Sequence, residues 1–119
     1  MGVHIIAEFL GVEKRKMEKT KVVKSILKKA IKNSKLKVIS SCFHQFKPFG
    51  VSGIYLLRES HLSIHTWPEF EYLALDIFTC GSEKEAKNAF EILKKEFKPK
   101  KVKMKILKRE YEKFRKRID

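Results

Sequence analysis

Residues 58–70 read RESHLSIHTWPEF. Ser60 and Ser63 offer hydroxyls, His61 and His65 offer imidazoles, and Cys80 adds a thiol further along. Three readings use such groups. A Ser-His hydrolase needs a base within hydrogen-bond reach, a third orienting group and an oxyanion hole. No G-x-S-x-G elbow occurs to support it. A metal centre would recruit His61 and His65, with His44 or Cys80. On a strand, residues i and i+4 share a face but lie ~13 Å apart, too far to share one ion. The third reading is a half-buried strand whose histidines are hydrogen-bonded and do no chemistry. The residue types alone leave the choice open.

The elements that must position these groups are legible from periodicity. His4–Phe9 is a short apolar run that predicts a strand. Over Lys19–Ser34, Val22, Val23, Ile26, Leu27, Ala30 and Ile31 form one helical stripe, with lysines mostly on the other side. Lys37–Phe46 and Val51–Leu57 are β-branched and aromatic, and predict strands. Pro48 and Gly50 separate them, and Gly53 allows a bulge or a close backbone approach. His61–Trp67 alternates with period two, Pro68–Glu71 turns, and Tyr72–Thr79 is the next strand. Ser82-Glu83-Lys84-Glu85 has the capping-box form, so a helix starts at Ser82 and ends before Pro99. Val102, Met104 and Ile106 alternate with lysines, as an edge strand would. The basic tail, Lys108–Asp119, reads as a last helical turn or a frayed end.

This order, βαβ, then a hairpin region, then βαβ, predicts an α+β two-layer sandwich. Two helices cover one face of a mainly antiparallel sheet. The other face then needs cover, and a second subunit is the expected source. If the turn is centred between Glu69 and Phe70, antiparallel pairing joins residues whose numbers sum to ~139. Ser60 then falls opposite Thr79, beside Cys80. His65, five residues along at ~3.3 Å each, would lie ~16 Å from Ser60 on a straight strand. A bend, or a histidine from another subunit, would be needed to bring them together.

The chain has 119 residues, which suits one domain over residues 1–119. Apolar residues are 43% and charged residues 35%, a globular balance. The net charge is +14 with a pI near 9.9. Alone, this raises a basic nucleic-acid-binding module as an alternative function. The distribution argues against it. Residues 42–82 hold two basic residues, Lys47 and Arg58, against four acidic ones, Glu59, Glu69, Glu71 and Asp76. The chemically interesting segment is therefore net negative. No apolar stretch approaches the ~20 residues of a membrane span, and the N-terminus lacks the features of a secretory signal. Two cysteines without a C-x-x-C pair suit free thiols in a reducing cytoplasm.

ESHLSIHTWPE, followed by ALDIFTCG at Ala74–Gly81, resembles the prokaryotic S-adenosylmethionine decarboxylases, small pyruvoyl-dependent enzymes of polyamine (spermidine) synthesis. FHQFKPFGVSG at Phe43–Gly53 and HIIAEF near the start resemble further blocks of that family. The resemblance implies self-cleavage between Glu59 and Ser60. Ser60 would attack the Glu59 carbonyl to give an ester. Elimination and hydrolysis would then leave a β fragment, residues 1–59, and an α fragment, residues 60–119, headed by a pyruvoyl group. His65 matches the proton acceptor of that processing, and Ser52 matches a serine that assists it. The pyruvoyl group would form a Schiff base with the substrate amine, doing the work that pyridoxal phosphate does elsewhere, with no metal. Cys80 matches the proton donor of catalysis. Phe46, Trp67 and Glu69 match substrate-binding positions. The resemblance further implies a homodimer with sites between protomers. Some archaeal relatives decarboxylate arginine with the same processing residues, which leaves an arginine decarboxylase as the alternative.

Overall fold

The computed structural model describes residues 2–110. Six strands and two helices follow one another in the expected order. The strands are β1 (Gly2–Leu10), β2 (Val38–Gln45), β3 (Val51–Leu57), β4 (Ser60–Trp67), β5 (Tyr72–Thr79) and β6 (Lys101–Arg109). The helices are α1 (Thr20–Lys32) and α2 (Glu83–Phe97). The strands form one sheet in the order β2-β3-β4-β5-β1-β6, and every neighbouring pair is antiparallel. Of the basic tail, Lys108 and Arg109 end β6 rather than turning helical. Residues 111–119 lie outside the described residues.

Alternation assigns each strand two faces. Ile5 and Phe9 of β1, Leu62 and Ile64 of β4, and Leu73 and Ile77 of β5 point to one side and are fully buried. Val23 and Leu27 of α1 and Leu93 and Phe97 of α2 meet them there. Burial of these side chains supplies the main drive to fold, roughly 1.5–3 kcal/mol for each large apolar one. The Ser82 hydroxyl caps α2 by accepting from the Glu85 N–H at 3.3 Å, as the capping-box sequence requires. Lys98, left-handed at φ 49°, closes the helix just before Pro99.

Both helices lie on this side, so the opposite face of the sheet is open. Ile6, Ile54, Leu56 and Leu107 stand there between 38% and 47% exposed. Polar groups occupy the middle of that face, among them His4, His61, Ser63 and Asp76.

Gly53 serves a close approach and not a bulge. The Phe43 ring of β2 lies where a Gly53 side chain would begin. The one irregularity of that pair is elsewhere, between Val38 and Ser40.

Candidate active site

Arg58 and Glu59 are the whole connection between β3 and β4, because Leu57 already pairs with Ser60. The Glu59–Ser60 peptide therefore leaves a two-residue hairpin turn. Neither Arg58 nor Glu59 has a left-handed φ. The turn is held instead by hydrogen bonds. The Arg58 N–H donates to the Lys37 carbonyl at 2.9 Å. The Cys80 N–H donates to the Glu59 carbonyl oxygen at 3.1 Å. The carbonyl that Ser60 directly follows is thus polarised by the backbone of the residue that carries the thiol.

The β4–β5 register pairs Ser60 with Thr79, and every pair in the ladder sums to 139 as the sequence predicts. Cys80 is exposed and next in line, so Ser60, the Glu59 carbonyl and Cys80 form one cluster. Ser60 shares the strand parity of the buried Leu62 and Ile64, toward the helices. Gly81 lets the Glu59 carboxylate lie close above it, and its N–H donates to the Thr79 hydroxyl at 2.9 Å.

His65 belongs to a second cluster at the far end of β4. It pairs across the sheet with Ser52 of β3, and a 2.7 Å hydrogen bond joins Ser52 Oγ to His65 Nδ1. The two stand beside a cavity of about 320 Å³ lined by Phe46, Phe49, Ser52, His65, Trp67 and Glu69. The Trp67 ring is tilted over His65 at 6.2 Å and over Tyr72 at 5.4 Å. Every matched substrate-binding position, Phe46, Trp67 and Glu69, lines this one cavity. β4 runs unbroken between the clusters, so no bend carries His65 back to Ser60.

Two features have no signal in the sequence. Gln45 is a junction: its Oε1 accepts from the Thr20 N–H at 2.7 Å and hydroxyl at 3.0 Å. Its Nε2 donates to the carbonyls of Glu18, Phe46 and Gly50 at 2.8, 3.1 and 3.0 Å. One side chain thereby caps α1, whose Lys19 cap position has no side-chain bond, and pins the loop that carries Phe46 and Phe49.

The second feature is on the open face. His4 Nε2 and His61 Nε2 both hydrogen-bond Asp76 Oδ2, at 2.7 and 2.9 Å, and the Ser63 hydroxyl donates to Asp76 Oδ1. Burial pushes the Asp76 carboxyl up, but the bonds from Ser63, His61 and His4 outweigh it and hold it below the usual range. The three ligand-type atoms lie within 4.8 Å of one another. They do not suit a metal as arranged. Arg109 donates to His4 Nδ1 at 3.1 Å. A guanidinium has no acceptor, so the His4 proton sits on Nε2, the atom a metal would need bare.

A fully antiparallel sheet backed by two helices, with a serine after a hydrogen-bonded glutamyl carbonyl and a thiol alongside, fits the class of small α+β decarboxylases. The S-adenosylmethionine decarboxylase family pattern matches residues 3–110, and the chain belongs to that family. It is 45% identical to the S-adenosylmethionine decarboxylase proenzyme of Sulfurihydrogenibium sp. over 92% of this chain and 82% of that one. It is 50% identical to the proenzyme of the same name from Thermoplasma volcanium over 83% and 76%. The crystal structure of the adenosylmethionine decarboxylase from Aquifex aeolicus superposes with a TM-score of 0.89 at 35% identity, over 92% of this chain and 90% of that one. Among the described residues no helix is long and apolar enough to cross a membrane.

Proposed function

We propose that this chain cleaves itself between Glu59 and Ser60 and then decarboxylates S-adenosylmethionine, giving S-adenosylmethioninamine and carbon dioxide. The hydrogen bond from the Cys80 N–H to the Glu59 carbonyl carries the reading. It sits where an oxyanion would form if the Ser60 hydroxyl attacked that carbonyl. The attack exchanges the peptide bond for an ester and leaves the amine of Ser60 free.

Elimination next requires a base for the Ser60 α-proton. His65 is the candidate, held through Nδ1 by Ser52. With Nδ1–H donating to Ser52 Oγ, Nε2 is free to accept. His65 reaches Ser60 only from a second protomer. A homodimer joined through the open sheet face covers the exposed Ile54 and Leu56 and presents His65, which stands on that face, to the partner's β4, where the base has to reach the backbone α-carbon at Ser60 and not its helix-side hydroxyl.

The residues fit a pyruvoyl group formed at position 60. That group, when present, supplies a conjugated carbonyl that takes up the electron pair released with carbon dioxide. The chain's own residues bind substrate and move protons. Phe46 and Trp67 offer faces for an adenine ring and a sulfonium cation, and the Glu69 carboxylate offers acceptors for ribose hydroxyls. The Cys80 thiol carries an S–H that can donate its proton to the substrate α-carbon. The free thiols of Cys42 and Cys80 suit a reducing cytoplasm.

The arginine alternative is not favoured, because the matching relatives are named for adenosylmethionine. Carbon dioxide release from each carboxyl-labelled substrate tests the reading. Release from S-adenosylmethionine and not from arginine is expected, and the reverse result would overturn it.

A further inference from the structure

The turn that holds the Glu59–Ser60 bond borders a cavity of about 230 Å³. Five charged side chains line it: Lys35, Lys37, Arg58, Glu59 and Glu85. Among the described residues, none of the three cations has an ion-pair partner. Lys35 sits left-handed at φ 59°, beyond the end of α1, at a kind of position that glycine fills more readily. The backbone bond from Arg58 to Lys37 ties two of the cation-bearing segments together at the cavity wall. The intact wall therefore carries three positive and two negative side-chain charges.

Ordinary peptide hydrolysis makes a carboxylate and an ammonium side by side, and the local charge is unchanged. The processing proposed above differs. After the Ser60 hydroxyl has taken the acyl group, a base removes the Ser60 α-proton. The Cβ–O bond breaks, and its electron pair leaves on the Glu59 carboxylate. The enamine so formed becomes an imine, and one water replaces its nitrogen, which departs as ammonia. The balance is one water in, one ammonia out, one carboxylate and one ketone made. A negative charge is left at Glu59 with no cation created on the chain beside it.

We propose that Lys35, Lys37 and Arg58 form the receiving site for this new α-carboxylate. The ligand is the chain's own cut end. Capture cancels the surplus positive charge of the wall and keeps the last residue of the β fragment docked at the turn, with β3 still paired in the sheet. The inference rests on the processing reading.

Carbon-13 NMR of processed protein grown with [1-¹³C]glutamate tests it. The Glu59 α-carboxyl is then the only glutamate-labelled carbon that ionises. In the wild-type protein its pKa is expected about one unit below the ~3.3–3.7 of an ordinary terminal carboxyl. It should return toward that range in a Lys35→Gln, Lys37→Gln, Arg58→Gln triple variant, and in wild-type protein at about 1 M salt. Should the triple variant fail to fold, each single variant is expected to move the value part of the way. An ordinary value in the processed wild type, or no response to the substitutions, overturns the receiving site while leaving the processing reading intact. Mass spectrometry of the same sample separates the two, since an uncleaved chain overturns both.

Discussion

Ser60 and His65 occupy one unbroken strand, five residues apart and on opposite faces of the sheet. At ~3.3 Å per residue, roughly 16 Å separate them along the strand. A single protomer cannot join them without breaking its own sheet.

Complementation in trans follows from this. The Ser60→Ala chain keeps His65 but lacks the proposed nucleophile. The His65→Ala chain keeps Ser60 but lacks the proposed base. Co-expressed in equal amounts, random pairing places about half of the His65→Ala chains opposite an intact His65. About half of them should then be cleaved, as read by denaturing mass spectrometry. Cleavage of that chain expressed alone at the wild-type rate would place the base elsewhere.

Cys80 should separate processing from turnover. Its N–H, which holds the Glu59 carbonyl, survives substitution, whereas its thiol does not. Cys80→Ala is expected to cleave yet lose roughly 10²–10⁴-fold in kcat, the usual range for a positioned proton donor. Full turnover in the cleaved variant would remove the thiol from the reaction.

The proposed substrate cavity should answer to Trp67, which lines it, and to Gln45, which holds the loop beside it. Trp67→Ala removes an aromatic wall of the cavity and is expected to raise KM for S-adenosylmethionine roughly fivefold to tenfold, the effect of one ring contact of about 1–1.4 kcal/mol. Gln45→Ala frees the loop carrying Phe46 without touching the turn at Ser60. It should raise KM more than it lowers kcat. Equal losses in kcat and cleavage would point to a general packing defect instead.

Asp76 gives a pH dependence with a defined sign. Its folded-state value is lowered, so its stabilisation is present above the unfolded value and is lost as pH falls through the folded one. Between about pH 6 and about pH 3, the urea midpoint of the uncleaved Ser60→Ala chain should fall further than that of the Ser60→Ala, Asp76→Asn chain. Equal falls would assign the acid sensitivity to other carboxylates.

Much of this was legible in the sequence because it is local. The alternation of Leu62, Ile64 and Thr66, and the Pro68–Glu71 turn, set the β4–β5 register and placed Cys80 beside Ser60. The same spacing exposed the distance to His65. What stayed hidden depends on partners remote in the chain. His4 meets Asp76 across 72 positions, and Gln45 meets Glu18 across 27. No periodicity reports such meetings, because only the strand order β4-β5-β1 and the docking of α1 create them. The cavity at the Arg58–Glu59 turn was equally silent, since Lys35 and Lys37 line it from the segment between α1 and β2.

The covalent state of the Glu59–Ser60 bond tests the central claim most directly. Denaturing mass spectrometry of the chain after prolonged incubation should find fragments of residues 1–59 and 60–119, the second without a free amine. The Ser60→Ala chain should remain whole. An intact wild-type chain, or cleavage that leaves an ordinary amino terminus at Ser60, would contradict it.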